Sequence, residues 1–324
     1  MIDELGLKQT KFGEIISPID VEGDPLQGQV EVNGISVGTN NLDLHSILSA
    51  IPNAQNQDPL GIQLTYLTSN KAGIDGVYMP QPMDETHAGD IYTNYQLNKF
   101  VFVGLNKLGT LLAMIYGVRA LRQIDRGILG VHSASVYDRE LDRTHILIGR
   151  SRAGKSSLSF ALEADQSSRF ELLADDWNEI DLNSGQVNPI SAVFSGANPN
   201  DDRYRPIFNS FGKQFYTKPN VPISSRVGSV ILIGKSQEEL QNSALFNSVE
   251  LQIPFVGNKD GRHESIHELT KGTAESHIVA LIAHKVQHLN SAFSSLVSSQ
   301  GTINLINDRS LSLEQLKNNL IMTL

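Results

Sequence analysis

THILIGRSRAGKSSLSFALEADQSSRFELLADD, residues 144–176, decides the fold. It opens on the apolar run Thr144–Gly149, whose length and bulk suit a strand. A glycine-containing turn follows. SLSFALEA (Ser157–Ala164) then reads as a helix and FELLAD (Phe170–Asp175) as a second strand. Strand, loop, helix and strand make a βαβ unit. Its crossover is right-handed and returns the second strand beside the first, with both strand ends at one edge. The turn, Gly149-Arg150-Ser151-Arg152-Ala153-Gly154-Lys155-Ser156, fits G-x-x-x-x-G-K-[ST] without a gap.

That pattern carries a mechanism. A loop that wraps a phosphate must turn its backbone N–H groups inward at close range. Gly149 and Gly154 permit the tight turns and remove side chains that would block the approach. Lys155 brings a point charge to the β- and γ-phosphates, and Ser156 a hydroxyl for Mg²⁺. The helix that continues through Ser157 offers an N-terminus, where unpaired N–H groups and the macrodipole favour anions. Arg150 and Arg152 either add charge beside the phosphates or point to solvent.

Asp175 and Asp176 follow Lys155 by 20 and 21 residues. The crossover sets them facing the loop, and neighbours on an extended chain point in opposite directions. One carboxylate can then hold Mg²⁺, directly or through water, while the other reaches an acceptor hydroxyl. That division suits phosphoryl transfer.

Further out, HSASVYD (His132–Asp138) reads as a strand joined by the polar turn Arg139–Arg143 to the loop strand. NEIDLNSGQVNPI reads as a hairpin turning at Asn183-Ser184-Gly185. Two hairpins around a βαβ unit imply a mixed sheet. Residues 97–129 show helical spacing of Leu111, Leu112, Met114, Ile115, Val118, Leu121 and Ile124, and read as one long helix or two. Beyond the centre, Ser224–Lys235 and Thr302–Asp308 read as strands, and Thr273–Ser298 and Ser312–Leu320 as helices. Leu313, Leu316 and Leu320 share one face of the last helix. Towards the start, QVEVNGISVG (Gln29–Gly38) has the Asn-Gly hairpin signal, Leu42–Ile51 a helix capped by Asn41, and Gly61–Thr68 a strand. The stretch from there to about Gly89 reads as loop.

The order around the centre is a helix ending near RGILGVHSASV, a hairpin, GRSRAGKSS, a helix, LLADD and a hairpin. It resembles the catalytic core of HPr kinase/phosphorylase and its phosphoenolpyruvate-carboxykinase-like relatives. The likeness covers Gly127–Gln186 and, loosely, Val221–Gly234. It implies an α/β fold with an α+β mixed sheet and a P-loop core at residues 96–324. A β-rich N-terminal lobe, residues 1–95, precedes it and matches nothing in that family. The resemblance also implies ATP and Mg²⁺ as cofactors. Nucleotide would sit on Gly149–Ser157, with metal on Ser156 and Asp176. Catalysis would fall to Lys155, to His132 near the phosphates, and to the aspartates, with Asp175 as base toward a serine hydroxyl; the reverse assignment of the two serves equally. A homo-oligomer is implied too. The family's loop has glycine where this chain has Arg152, and its later glycine-rich signature has no clear counterpart.

Composition narrows the field. The 324 residues hold no cysteine, which removes disulfides, thiolate metal sites and cysteine nucleophiles. A net charge of −9 argues against a broad nucleic-acid binder. The N-terminal MIDELGLKQTKFGEII has no basic start or apolar core, and no run approaches a membrane span, so a cytoplasmic protein is expected. His284 and His288 lie four apart, but Lys285 replaces the glutamate of a zinc-protease helix, so they read as surface residues. Arg203–Pro206, Lys213 and Lys218 read as a solvated loop, with an acceptor-binding role as the alternative. Trp177 reads as packing. The expected activity is ATP-dependent transfer to a hydroxyl of a protein, peptide or small molecule. The rivals are a nucleotide-binding regulatory module and a P-loop ATPase that needs no acceptor.

Overall fold

The computed structural model describes residues 29–51, 60–67, 77–79, 90–93, 99–103, 108–149, 153–165, 167–190, 193–194, 201–210, 213–218, 225–241, 274–299, 301–307 and 310–324. The fold is mixed α/β with mixed sheets, in two compact units.

The first unit carries a six-stranded sheet in the order β1-β2-β3-β6-β5-β4. β1 (Gln29–Val32) and β2 (Ile35–Thr39) form a hairpin across Asn33-Gly34. Both turn residues have positive φ, 50° and 79°, the left-handed pair whose twist matches the flanking strands. α1 (Leu42–Ala50) follows, and the Asn41 side chain accepts the Leu44 N–H at 2.9 Å as its cap. β2, β3 (Ile62–Leu67) and β6 (Lys99–Val103) run parallel, while β5 (Asp90–Thr93) and β4 (Val77–Met79) finish the sheet antiparallel. Val32, Ile35, Val37, Leu64 and Phe100 are buried in it. Two expectations change here. KFVFV at β6 is a strand rather than the start of a helix, since aromatic and β-branched residues suit a pleated surface. The three residues of β4 lie where the sequence reads as loop.

The second unit takes in α2 (Leu108–Gln123) from Leu112 onward, and the helix passes through one 3₁₀ turn and Gly127 (φ 74°) into β7 (Ile128–His132). Its eight-stranded sheet is built from β8 (Ala134–Asp138), β9 (Arg143–Gly149), β10 (Phe170–Ala174), β11 (Trp177–Asp181), β12 (Gln186–Pro189), β16 (Ser225–Gly234) and β17 (Gly301–Ile306) with β7. A small sheet joins β13 (Val193–Phe194), β14 (Arg205–Ser210) and β15 (Lys213–Thr217). The helices are α3 (Lys155–Glu163), α4 (Gln237–Gln241), α5 (Ala274–Ser299), which belongs to this unit from Ile282 onward, and α6 (Leu313–Thr323). Leu158 and Leu162 of α3, Leu316 and Leu320 of α6, and Val136, Leu147, Leu172 and Ile231 of the sheet share one core. Leu313 is 43% exposed at the rim of a cavity, which leaves it off that core face.

The strand order at the loop end is β10-β8-β9-β16, with β17 paired to β16. β10 therefore does not return beside β9. The β8–β9 hairpin already fills that slot, so the crossover lands one strand further out. Because β8 is antiparallel to both, β9 and β10 still run the same way and end at one edge. The run His132–Asp138 also divides at Ser133: β7 pairs with β11, and β8 with β9 and β10.

Charges dispersed in sequence meet in this core. Arg119 of α2 and Glu179 of β11 are both buried and pair twice, Nε to Oε1 at 2.5 Å and a terminal nitrogen to Oε2 at 2.9 Å. Lys218 is not solvated as expected. It is buried, donating to Glu163 at 2.7 Å and Glu171 at 3.2 Å, while Arg203 is held by Asp201 at 2.6 Å. Trp177 stacks on Tyr116 with ring centres 5.2 Å apart, as packing requires. His284 and His288 are exposed.

Asp138 is fully buried at the start of the β8–β9 turn. Burial works to raise its carboxyl, but hydrogen bonds from Arg169 and from the Glu140 and Leu141 N–H groups outweigh this and hold it below the usual range. His145, 3.4 Å away, is pushed down by burial more than Asp138 lifts it.

Two outcomes follow from these clusters. Replacing Arg119 with Met strands the Glu179 carboxylate and should destabilise the fold by about 3–5 kcal/mol in urea unfolding. The unfolded chain takes a proton on His145 at its ordinary value of 6.5 while the folded chain resists it. That contribution is complete above pH 6.5 and declines as pH falls, and His145→Gln should flatten the decline.

Candidate functional site

Gly149 closes β9 opposite Ile233 in the parallel register with β16. A Cβ on Gly149 would run into the Ile233 carbonyl and come within 3.2 Å of the Ala153 methyl, so only glycine lets the chain leave the sheet here. Arg150, Ser151 and Arg152 lie outside the described residues. Ala153 is buried, and Gly154 enters α3 at φ 106°, a conformation that side chains disfavour. Lys155 is buried and donates to the Gly149 carbonyl at 2.7 Å, closing the loop from within. Ser156 and Ser157 form the first turn of α3 with it.

The aspartates occupy the turn from β10 into β11. β10 shifts register against β8 between Leu172 and Ala174, an irregularity that re-aims the strand just before them. Asp175 is 1% exposed, and among the described residues its carboxylate oxygens are not locked into a regular hydrogen bond, with the Ser156 hydroxyl as the donor that acts on them. Burial first, then the neighbouring Asp176 charge, push its carboxyl up to about 7; the Ser156 hydroxyl, Lys155 and His132 act in the opposite direction. The Asp176 side chain is half exposed and lies 4.0 Å from His132 Nε2. The two carboxylates thus face different surroundings, one dry and one wet.

The turn is fixed by groups that the sequence did not single out. The Ser133 N–H donates to the Asp176 carbonyl at 3.2 Å, and buried Asn178 donates to the Ser133 carbonyl at 2.8 Å. On the other side of the loop, Asn307 follows β17. Its backbone N–H donates to the Gly234 carbonyl at 2.7 Å and its side-chain amide to the Ala153 carbonyl at 2.8 Å. The available signal was a polar residue directly after the apolar strand TINLI.

Lys155, Ser156, Asp175, Asp176 and His132 therefore share one edge of the sheet. A cationic donor, a hydroxyl and a proton-accepting carboxyl lie at the N-terminus of α3. Such a set can bind an anion and relay a proton. Among the described residues no group of three or more His, Asp or Glu side chains is placed to hold a metal ion. No helix among them is long and apolar enough to cross a membrane. No family model matches the chain, and no curated protein sequence matches it.

Asp175 folds with its proton more tightly held than in the unfolded chain, so its contribution falls as pH rises from 3.8 through about 7. Asp175→Asn should raise the unfolding midpoint at pH 8, with the gain vanishing below about pH 4. An unchanged midpoint at pH 8 would show that the carboxylate is solvated.

Proposed function

We propose that the chain is an ATP-dependent phosphotransferase with an HPr-kinase-like, phosphoenolpyruvate-carboxykinase-like P-loop core, acting on a hydroxyl of a protein, peptide or small molecule. The observation that carries this reading is the buried Asp175 carboxyl, raised to about 7, beside Lys155 and Ser156 at the start of the loop helix. A buried carboxylate with a purely structural role is held below its ordinary range by its partners, as Asp138 is. One poised near 7 and next to a phosphate loop suits a general base.

The loop backbone and Lys155 hold the phosphates. Ser156 and Asp176 are the residues that would hold Mg²⁺, whose role is to neutralise charge on the phosphate oxygens. The lack of a three-residue metal cluster among the described residues fits this, because Mg²⁺ in such sites takes one or two protein oxygens and completes its shell with phosphate and water. Ionised Asp175 accepts the proton of the acceptor hydroxyl. The hydroxyl oxygen bonds to the γ-phosphorus, the bond to the β,γ-bridging oxygen breaks, and ADP leaves with that electron pair. His132 sits beside Asp176 and fixes the wet side of the site.

The test is phosphate transfer from labelled ATP to a panel of serine peptides and hydroxylated small molecules. Lys155→Ala should abolish turnover. Asp175→Asn should cut transfer by about 10²–10⁴-fold while ATP still binds. Transfer at the parent rate after both aspartates are replaced would refute the mechanism. ATP binding without transfer would mark a regulatory module, and phosphate release without acceptor an ATPase.

A further inference from the structure

The strand order gives the loop two unlike flanks. Along the edge β10-β8-β9-β16-β17, the aspartates stand at one end and Asn307 at the other, with the loop between them. If the transferable phosphate faces the aspartates, the remainder of the nucleotide runs toward β17. A cavity of about 270 Å³ opens there, touching the loop itself at Gly154 and Ser157. Its walls are apolar, with Ile233 and Leu305 below and Leu311 and Leu313 at the rim. These rim leucines are 37% and 43% exposed. Its volume is below the range of sites that hold a whole drug-sized ligand, and suits a flat bicyclic ring.

We propose that this cavity seats the adenine ring of the nucleotide whose phosphates the loop holds. The proposal rests on the phosphotransferase reading. The ring would lie on Ile233 and Leu305 and cover the two exposed leucines, removing apolar surface from water on both partners. The polar side chains in the lining are Ser157 and Asn307. The Asn307 amide nitrogen is committed to the Ala153 carbonyl, while its oxygen accepts from no described residue. An uncommitted acceptor matches the exocyclic amino group of adenine and opposes the carbonyl of guanine. The second cavity at α3, about 430 Å³, has Glu163, Asp201 and Arg203 in its walls. Those charges suit a polar acceptor better than a base.

Calorimetry with the full chain decides the matter, using ATP, GTP and inorganic tripolyphosphate in the presence of Mg²⁺. ATP should bind at least about tenfold tighter than tripolyphosphate and tighter than GTP. Leu311→Asp places a charge at the rim, where it stays hydrated in the empty protein. It should bring ATP down to the tripolyphosphate level and leave tripolyphosphate unchanged. If this variant loses tripolyphosphate as well, its fold is damaged, and Leu311→Ser carries the same comparison. ATP binding no tighter than tripolyphosphate in the parent, or an unchanged ratio in the variants, overturns the base site and leaves the kinase reading intact. GTP binding as tight as ATP overturns the role given to Asn307. A parent that binds neither ATP nor tripolyphosphate overturns the phosphotransferase reading together with this one.

Discussion

β9 ends with the Ile233 carbonyl standing where a side chain on Gly149 would have to be. That close approach of two parallel strands brings the ends of β9 and β16 level, and the loop edge is assembled on it. Gly234 offers its carbonyl to the Asn307 N–H, and the Asn307 side chain crosses to the Ala153 carbonyl. Lys155 reaches back to the Gly149 carbonyl from the far side of the loop. The Gly149, Ala153 and Gly234 carbonyls are thus taken up by lysine and by Asn307. What stays available at the start of α3 are N–H groups, which is the polarity an anion needs. An alanine at 149 would part β9 from β16 and disturb each of these bonds.

The carboxyl end of the site is held differently. Backbone bonds fix the turn at Asp175 and Asp176 through Ser133, and Asn178 fixes Ser133 in turn. The Asp175 side chain itself is buried with weak satisfaction among the described residues, the Ser156 hydroxyl being the donor that acts on it. An unsatisfied buried group of this kind costs about 1–3 kcal/mol, and more when ionised. The surrounding β-sheet core and the Arg119–Glu179 pair stabilise the unit against that cost. Cost and usefulness have one origin, because the dry setting that penalises the carboxylate also makes it a stronger proton acceptor than a solvated aspartate.

How much of this was legible follows from the range of each interaction. Residues 144–176 could be read because strand, turn and helix are local, and because glycine at 149 and 154 marks backbone that other residues resist. Asn33-Gly34 and the Asn41 cap were legible for the same reason. The insertion of β8 between β9 and β10 was not, since strand order depends on pairing between distant segments and not on any segment's own pattern. Lys218 with Glu163, and Arg119 with Glu179, lie 55 and 60 residues apart, so each charge alone looks like a solvated one. KFVFV was absorbed into a helical pattern that begins only a few residues later. Asn307 was read as part of a strand, although its work is done by leaving one.

The electrostatics of the edge bear on the proposed phosphate site. Asp175 lies in the field of Lys155 and of the neighbouring Asp176, so a fully ionised pair would set two adjacent negative charges at this edge. A triphosphate would then meet repulsion on the carboxyl side. With its carboxyl pushed up to about 7, Asp175 is largely neutral below neutral pH. The Asp176 carboxylate then lies 4.0 Å from the His132 ring. The same burial that raises the Asp175 carboxyl therefore lowers the negative charge that an arriving anion would meet. A second solvated carboxylate at position 175 would bind cations better and phosphates worse.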